Sequence, residues 1–571
     1  MLRTHTCGDL SAKDAGKHVT LAGWVNAIRI HGNVTFLDVK DRYGITQVVC
    51  KDLAEVPKKG YVVQAVGKVA KKPVPNPKLP TGDIELQCDS IAVLSRSRPL
   101  PLDLEDTANL TEETRLRYRY LDLRRDSMQH NLQMRHRIVL SARNYFDSEG
   151  FIEVETPVLA KSTPEGARDY LVPSRIQRGK FYALPQSPQI FKQLCMIGGL
   201  DRYFQVTKCY RDEDLRADRQ PEFTQVDVEA SFVAQEDVFG IIERLLKRIF
   251  KESLNVDLKI PFPRMAYDEA MGRFGLDKPD IRFGMELQDI TGWAQKSGID
   301  FLKEAKLVKA IVAPELFEKK KIEQFADLVK AHGAKGLAYV AYGKEVAGSI
   351  VKALGEDQLS GLKALLKIKD YAAAKDHATV FIIAGPPEVV NPALGTLRNE
   401  LGKPLDKDEF TWLWVTDFPM FEYSGEEKRW MAKHHPFTQM KPEHRKYLKT
   451  GDLDRIYSSA YDVVLNGVEI GSGSIRVHDP EEQKEVFEAL KLTSDQIEQR
   501  FGFLINALSY GAPPMGGIAL GLDRLAAIMT GNESMRDVIA FPKNKDGVDL
   551  MLGSPGTVDR EQLDELGIRV K

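Results

Sequence analysis

Three stretches of the chain gather the residue types that do chemistry. In YFQVTKCYRDEDLRADRQPEFTQVDVEASF a charged loop interrupts two alternating apolar segments, the pattern of an antiparallel hairpin with a functional tip. Arg211, at the end of the first segment, can fork onto a phosphate oxygen, and Glu213 can accept from an adenine amino group or help hold a metal. Read by itself, the loop serves equally well as a solvated, salt-bridged tip. In AYDVVLNGVEIGSGSIRVH, Asp462 and Glu469 lie seven residues apart and Arg476 seven further on. Residues an odd number apart on one strand face opposite sides, so a hairpin turn at Asn466-Gly467 is needed to bring the two carboxylates together. Such a pair suits Mg2+ bridging nucleotide phosphates; a cross-strand surface pair is the open alternative. YGAPPMGGIALGLDRLAAIMTG is a Gly-rich strand feeding a helix, with Arg524 just after Gly521. Glycines admit a flat ligand close to the backbone, and a helix start with an Arg favours phosphate, although this pattern alone is common.

These residues need elements to hold them. Short alternating segments from Val19 to Leu94, separated by Gly, Asp-Arg and Pro-rich turns, predict a small antiparallel barrel of five strands. Its outward aromatics could serve RNA, or the barrel could be purely structural. A Pro-rich, charged run ending in basic residues 115–125 reads as a linker. A helix is predicted over 127–149, with Leu132, Val139, Ala142 and Phe146 on one face and Gly150 as its stop. Between residues 285 and 408 helical and strand patterns alternate without a cluster of catalytic types, the mark of an inserted domain. The strand FTWLWVTDFPMF then restarts a buried sheet.

The chain has 571 residues, enough for about three cores. Its charged residues make up 28% and nearly cancel, leaving a net charge of -2, so a bound polyanion must be held by local basic surface. Cys7, Cys50, Cys88, Cys195 and Cys209 form no CxxC pair, which argues against a zinc site or disulfide framework and fits a reducing cytoplasm. No run of about 18 apolar residues occurs, and the first ten residues lack an apolar core, so a soluble, untargeted protein without membrane contact is expected.

Taken in order, the helix and strand ending at Pro157, the Arg211–Glu213 hairpin and GLDRL resemble motifs 1, 2 and 3 of the class II aminoacyl-tRNA synthetases. STPEGARDY, QSPQIFK, HHPFT and Arg476 resemble the bacterial-type aspartyl branch. That resemblance spans nearly the whole chain, with the insertion its least similar part. It implies an α+β multidomain fold: an N-terminal OB-fold β-barrel (1–105, anticodon-binding), a linker or hinge (106–130), and a class II antiparallel sheet with flanking helices in two parts (131–284 and 409–571) around an inserted α+β, GAD-like domain (285–408). It implies an aspartate–tRNA ligase that uses ATP and Mg2+, acts on L-aspartate and tRNA(Asp), and forms a homodimer through motif 1 in the cytoplasm. An asparaginyl or lysyl enzyme, or a non-catalytic RNA-binding paralogue, is the rival.

Residue by residue, the resemblance assigns catalysis to Arg211, Glu213 and Arg524. ATP falls to Arg211, Asp212, Glu213, Gln220, Glu469, Gly521, Leu522, Asp523 and Arg524, and the metal to Asp462 and Glu469. Aspartate falls to Glu165, Ser187, Gln189, Lys192, Gln225, Asp227, His434, His435 and Arg476, with Lys192 and Arg476 on its side-chain carboxylate. A desolvated carboxylate needs such paired cations. Phe36, Arg29 and Gln47 would read the anticodon by stacking and donation; a core role for Phe36 is the alternative. His31, before Gly32, resembles the relaxed members that also charge tRNA(Asn).

Overall fold

Every second residue of the segment Val34–Asp41 is buried, and the same alternation runs along most of its neighbours, so a curved sheet can bury one face. The computed structural model describes residues 1–105, 110–163, 167–213, 219–368, 377–402, 409–425 and 427–570. In it β1 (His18–His31), β2 (Val34–Asp41), β3 (Gly44–Lys51), β4 (Val62–Lys71) and β5 (Ile84–Ser95) close into a barrel, ordered β1-β2-β3-β5-β4. Leu21, Val25, Leu37, Val39, Val48, Val63 and Leu86 fill it.

The barrel belongs to the first of two compact units, Met1–Met134, Leu215–Gln220 and Thr530–Val558. The stretch expected as a linker is built into that unit and holds two short helices, Glu112–Arg117 and Arg119–Asp122. Arg119 is fully buried; it donates to Asp122 at 2.6 Å and to the carbonyls of Arg536, Ile539 and Ala540 at 2.6, 2.8 and 2.9 Å. Charge here is internal glue, which composition cannot distinguish from solvated charge. The predicted helix is α1 (Asp126–Ser148). Its buried stripe runs through Met134, Ile138, Ala142, Tyr145 and Phe146, while the expected Leu132 and Val139 are half-buried at its margin.

The second unit, Arg135–Asp214, Pro221–Met529 and Asp559–Lys571, contains two large sheets and two short two-stranded ones. In chain order its elements begin β6 (Ile152–Glu153), α2 (Gln189–Ile197), β7 (Arg202–Tyr210), β8 (Glu222–Ser231), α3 (Gln235–Leu254) and β9 (Arg264–Ala266). Next come β10 (Gln288–Asp289), β11 (Leu307–Ala313), α4 (Lys319–Ala331), β12 (Ala338–Tyr342), β13 (Val346–Gly348), α5 (Glu356–Leu365), β14 (Ala378–Gly385) and α6 (Pro387–Leu401). The set ends with β15 (Trp412–Thr416), β16 (Ala460–Leu465), β17 (Val468–Ile475), β18 (Met515–Gly521) and α7 (Leu522–Met529).

The eight-stranded sheet runs β9-β15-β16-β17-β18-β8-β7-β6 and is antiparallel except where its short edge strands β9 and β6 join in parallel. Phe239 of α3 stacks on Trp414 of β15, ring centres 3.9 Å apart, and covers one face. Alternation along β8 sends Val226 and Val228 to that side and Gln225, Asp227 and Glu229 to the other. The five-stranded sheet β10-β11-β14-β12-β13 lies wholly within residues 288–385. Helices α4 and α6 cover one face through Phe325, Val329 and Leu394, and Leu362 of α5 helps cover the other. Burial on both faces is why its strands read as continuous apolar runs.

Arg119→Met should destabilise the first unit by about 3 kcal/mol, the size seen when one partner of a buried ion pair is removed. Chemical denaturation followed through that unit's Trp24 would check it, and an unchanged midpoint would show that the arginine is dispensable.

Candidate active site

Directly paired residues on neighbouring strands share a face, so the sheet can be followed in rows. One row is Gln205, Asp227, Ala519, Ser472, Asp462; the next is Tyr203, Glu229, Gly517, Ser474, Ala460. Gly, Ala and Ser thus floor the space between an acidic pair on β8 and another on β16 and β17, two to three strand spacings or about 10 to 14 Å apart. The glycines of β18 have a specific task here: a Cβ on Gly517 would lie 2.2 Å from the Glu229 carboxylate.

At the β8 end, Arg476 forks onto Glu229 through Nε at 2.9 Å and Nη2 at 3.0 Å. Its Nη1 donates to Ser474 Oγ at 2.7 Å and to His435 Nε2 at 2.8 Å. Guanidinium has five N–H bonds, so one on Nη2 remains for a ligand. Lys192, from α2, donates to Asp227 Oδ1 at 2.8 Å and the Val228 carbonyl at 3.4 Å, with Glu229 Oε2 at 3.3 Å. All three of its hydrogens therefore have acceptors, and its first task is to hold the two carboxylates. Burial pushes the Asp227 carboxyl up against the opposing pull of Lys192. Asp227 Oδ2 and Gln189 Nε2 are buried without hydrogen-bond partners among the described residues, ready for a ligand's cationic and acceptor groups. Gln225 instead accepts from the Cys209 thiol at 3.1 Å.

The two histidines separate. His435 stays on Arg476, and burial together with that guanidinium holds its pKa well below the usual imidazole value, so Nε2 is free to accept. His434 faces away, 3.6 Å from Asp462 Oδ1 and edge-on to Phe418. Ser187 lines a cavity of about 310 Å³ whose other walls include Ile190, Phe191, Leu194 and Phe503. Lys161, Asp169 and Gln186 also line it. Glu165 lies outside the described residues.

At the other end, Asn466 and Gly467 both take positive φ, 52° and 79°, as a two-residue hairpin turn between paired Leu465 and Val468 requires. Glu469 then pairs with Val464 and falls on the Asp462 face, as the seven-residue spacing predicted. Burial raises the Asp462 carboxyl; burial also acts on Glu469, but Lys278 and Arg524 outweigh it and hold that carboxyl low. Asp462 Oδ1 is buried with no hydrogen-bond partner among the described residues. Those residues offer no group of three or more metal-ligating side chains. A pair with one open oxygen fits Mg2+, which takes few protein oxygens and keeps water or phosphate for the rest.

Around it, Arg524 donates to the Glu469 carbonyl. Arg211 leaves β7 with its backbone N–H on the Pro221 carbonyl at 2.9 Å and its guanidinium 5.0 Å from the centre of the Phe223 ring. Asp212 donates its N–H to the Arg168 carbonyl, and Glu213 follows it on the same tip. The fold holds both residues that precede Arg524. Asp523 is buried with one oxygen on the Thr224 N–H at 2.7 Å and the other on Arg135, so it ties α7 to β8. Leu522 is a core side chain. Gly521 pairs with Gln225 at the end of β18. Gln220 lies in the first unit, where it accepts from the Lys543 N–H at 3.1 Å.

On the barrel, Phe36 sits opposite Arg29 and Gln47 opposite Asp38, all on the outward face. Phe36 is therefore no core residue. His31 meets its ring edge-on, centres 6.0 Å apart, and Arg29 is forked onto Asp38 at 2.9 and 3.1 Å. Sequence reasoning missed Glu229 and Lys278; only their positions, two residues after Asp227 and just before the insertion, hinted at them.

The neutral state of His435 has a consequence for stability. Between its lowered pKa and the ordinary value near 6.5, the unfolded chain binds a proton that the native chain refuses. Stability complete above about pH 6.5 is lost as pH falls below it. His435→Asn should flatten the midpoint of urea unfolding between about pH 7 and 5; an unchanged slope would refute the assignment.

A family model described as "tRNA synthetases class II (D, K and N)" matches residues 111–545, and one for the OB-fold nucleic acid binding domain matches 19–94. The chain is 49% identical to the aspartate--tRNA(Asp/Asn) ligase of Caldanaerobacter subterraneus subsp. tengcongensis, covering all of this chain and 98% of that one. It is 47% identical, with the same coverage, to the aspartate--tRNA ligase of Macrococcus caseolyticus. Among solved structures, the asparaginyl-tRNA synthetase of Pyrococcus horikoshii with asparaginyl-adenylate shares the fold at a TM-score of 0.61 and 18% identity, covering 95% of this chain and 98% of its own. The aspartyl tRNA synthetase of Entamoeba histolytica does so at 0.57 and 19%, covering 95% and 91%. With most of its length matched by the family model and its barrel by the second, this chain belongs to the class II tRNA synthetases of the D, K and N group.

Proposed function

We propose that this chain is an aspartate–tRNA ligase that activates L-aspartate with ATP and passes it to the 3′ end of tRNA(Asp). The observation that carries this reading is the buried Lys192–Asp227–Glu229–Arg476 network. It is neutral in itself but leaves an Arg476 donor for the side-chain carboxylate and the open Asp227 oxygen for the α-amino group. A lysine side chain would meet the guanidinium and be repelled, and an asparagine amide would offer it one neutral oxygen in place of a charged carboxylate.

In the first step the aspartate α-carboxylate attacks the α-phosphorus of ATP in line, forming aspartyl-adenylate as pyrophosphate leaves with the bond electrons. Arg211 holds the α-phosphate, Arg524 the far end of ATP, and Glu213 the adenine. Asp462 and Glu469 would hold Mg2+, which would supply the charge that offsets the phosphates. In the second step the terminal ribose hydroxyl of tRNA attacks the aspartyl carbonyl and AMP departs. None of these side chains is a nucleophile, so catalysis is positioning plus electrostatics.

Phe36, Arg29 and Gln47 take the anticodon on the barrel. His31 beside Phe36 supports a relaxed choice that includes tRNA(Asn), in keeping with the tRNA(Asp/Asn) names of several relatives. Exposed Leu140, Ile152, Val158 and Leu159 support a homodimer through α1 and the segment after β6. Among the described residues no helix is long and apolar enough to cross a membrane; we place the enzyme in the cytoplasm.

ATP–pyrophosphate exchange should proceed with aspartate and not with asparagine or lysine; exchange with either of those alone would overturn the pocket reading. Arg476→Leu should lower aspartate-dependent exchange by about 10³-fold, in line with a lost ligand fork and an uncompensated Glu229, while filter binding of tRNA changes little. Purified tRNA(Asn) should be aspartylated at a rate near that of tRNA(Asp), and charging of tRNA(Asp) alone would remove the relaxed specificity.

A further inference from the structure

The connector from β9 into the inserted sheet brings a cation to the metal end of the site. Arg398, on α6 and fully buried, clamps that connector. Its Nη2 donates to the carbonyls of Asp280, Phe283 and Gly284 at 2.9, 2.6 and 2.8 Å, and its guanidinium lies 4.8 and 4.2 Å from the ring centres of Phe274 and Phe283. Asp280 also packs on the hairpin turn, where a Cβ on Gly467 would fall 2.9 Å from the Asp280 Cβ. Two residues before the clamped Asp280 projects Lys278, with Nζ 3.3 Å from Glu469 Oε2 and 3.9 Å from Asp277. Its side chain is 43% exposed, so the ammonium can move.

Asp462, Glu469 and Asp277 place three carboxylates at this corner, more negative charge than a site can gather without cations. A lysine, with a compact charge on a flexible stem, can pair with a carboxylate in one state and a phosphate in another, which a planar guanidinium forked onto one partner does less readily. Building on the reading of this site given above, we propose that Lys278 is a counter-cation of the metal and phosphate site. It holds Glu469 while the carboxylate pair has no metal, and turns to the polyphosphate of ATP when Mg2+ takes its place. The insertion, through Arg398, sets where that cation stands.

Lys278→Met in the full chain separates this from a structural role, because the two expected shifts have opposite signs. Mn2+ binding without ATP, read from the loss of the free-ion electron paramagnetic resonance signal, should tighten by roughly three- to tenfold. That is the scale for removing one partly screened competing charge. At saturating Mg2+, KM for ATP in aspartate-dependent exchange should rise by a similar factor with a smaller change in kcat. Lys278→Arg, which keeps the charge, should restore both values towards wild type. Unchanged or weaker Mn2+ binding, or an unchanged KM for ATP, would overturn the proposal. Absence of exchange in the wild type would instead defeat the ligase reading, and the Mn2+ measurement would still decide the role of Lys278.

Discussion

The site depends on one buried ion pair, Arg476 with Glu229. Both side chains are cut off from water, and a charge so placed is tolerated only when paired and fully hydrogen-bonded. The fork uses both Glu229 oxygens, Lys192 adds a second cation, and Asp227 balances it. The result carries two positive and two negative charges and no net charge, yet presents a donor and an acceptor at fixed positions. Neighbouring sequence choices follow from it. Gly517 is glycine because a methyl group would strike Glu229, Ser474 fills a third Arg476 donor, and His435 stays neutral so that it can take the fourth, which leaves the fifth for a ligand.

From that pair the sheet extends a floor of small residues to a second pair of acids with a different solution to the same problem. Asp227 and Glu229 are neutralised by side chains that stay. Asp462 and Glu469 have a histidine 3.6 Å away, a half-exposed lysine, the nearby Arg524 and one open oxygen. An acid pair neutralised by fixed cations shapes a pocket, and one neutralised by a removable cation can exchange it for a metal. Antiparallel register lets one face carry both, because equivalent positions on successive strands keep the same side.

What could be read from residues alone follows from this geometry. The carboxylates Asp462 and Glu469 were legible because an Asn-Gly turn fixes register, and register fixes which side chains meet. The barrel was legible from its alternation, and the sheet hairpin from its charged tip. Glu229 was hidden because an acid buried against an arginine 247 residues away looks in sequence like any solvated acid. The partners of Asp523 were hidden too: it stands beside Arg524 in a chemically suggestive run, and Thr224 and Arg135 reach it from elsewhere in the fold. The buried charges of residues 111–125 defeated a composition argument in the same way, since Arg119 finds its acceptors more than 400 residues on. Periodicity reports local faces; long-range pairing of charge leaves no local trace.

The barrel face carries the same rule outward. Arg29 is the basic residue nearest Phe36, but its fork to Asp38 cancels most of its charge. A face built in this way attracts a phosphate chain weakly and instead offers a ring edge, an imidazole and an amide to unpaired bases. Recognition by stacking and donation, rather than by bulk charge, is what a chain with a net charge of only -2 can supply. On such a face a single side chain such as His31, set against the Phe36 ring, weighs heavily: where the general electrostatic attraction is small, one contact is a large share of the whole.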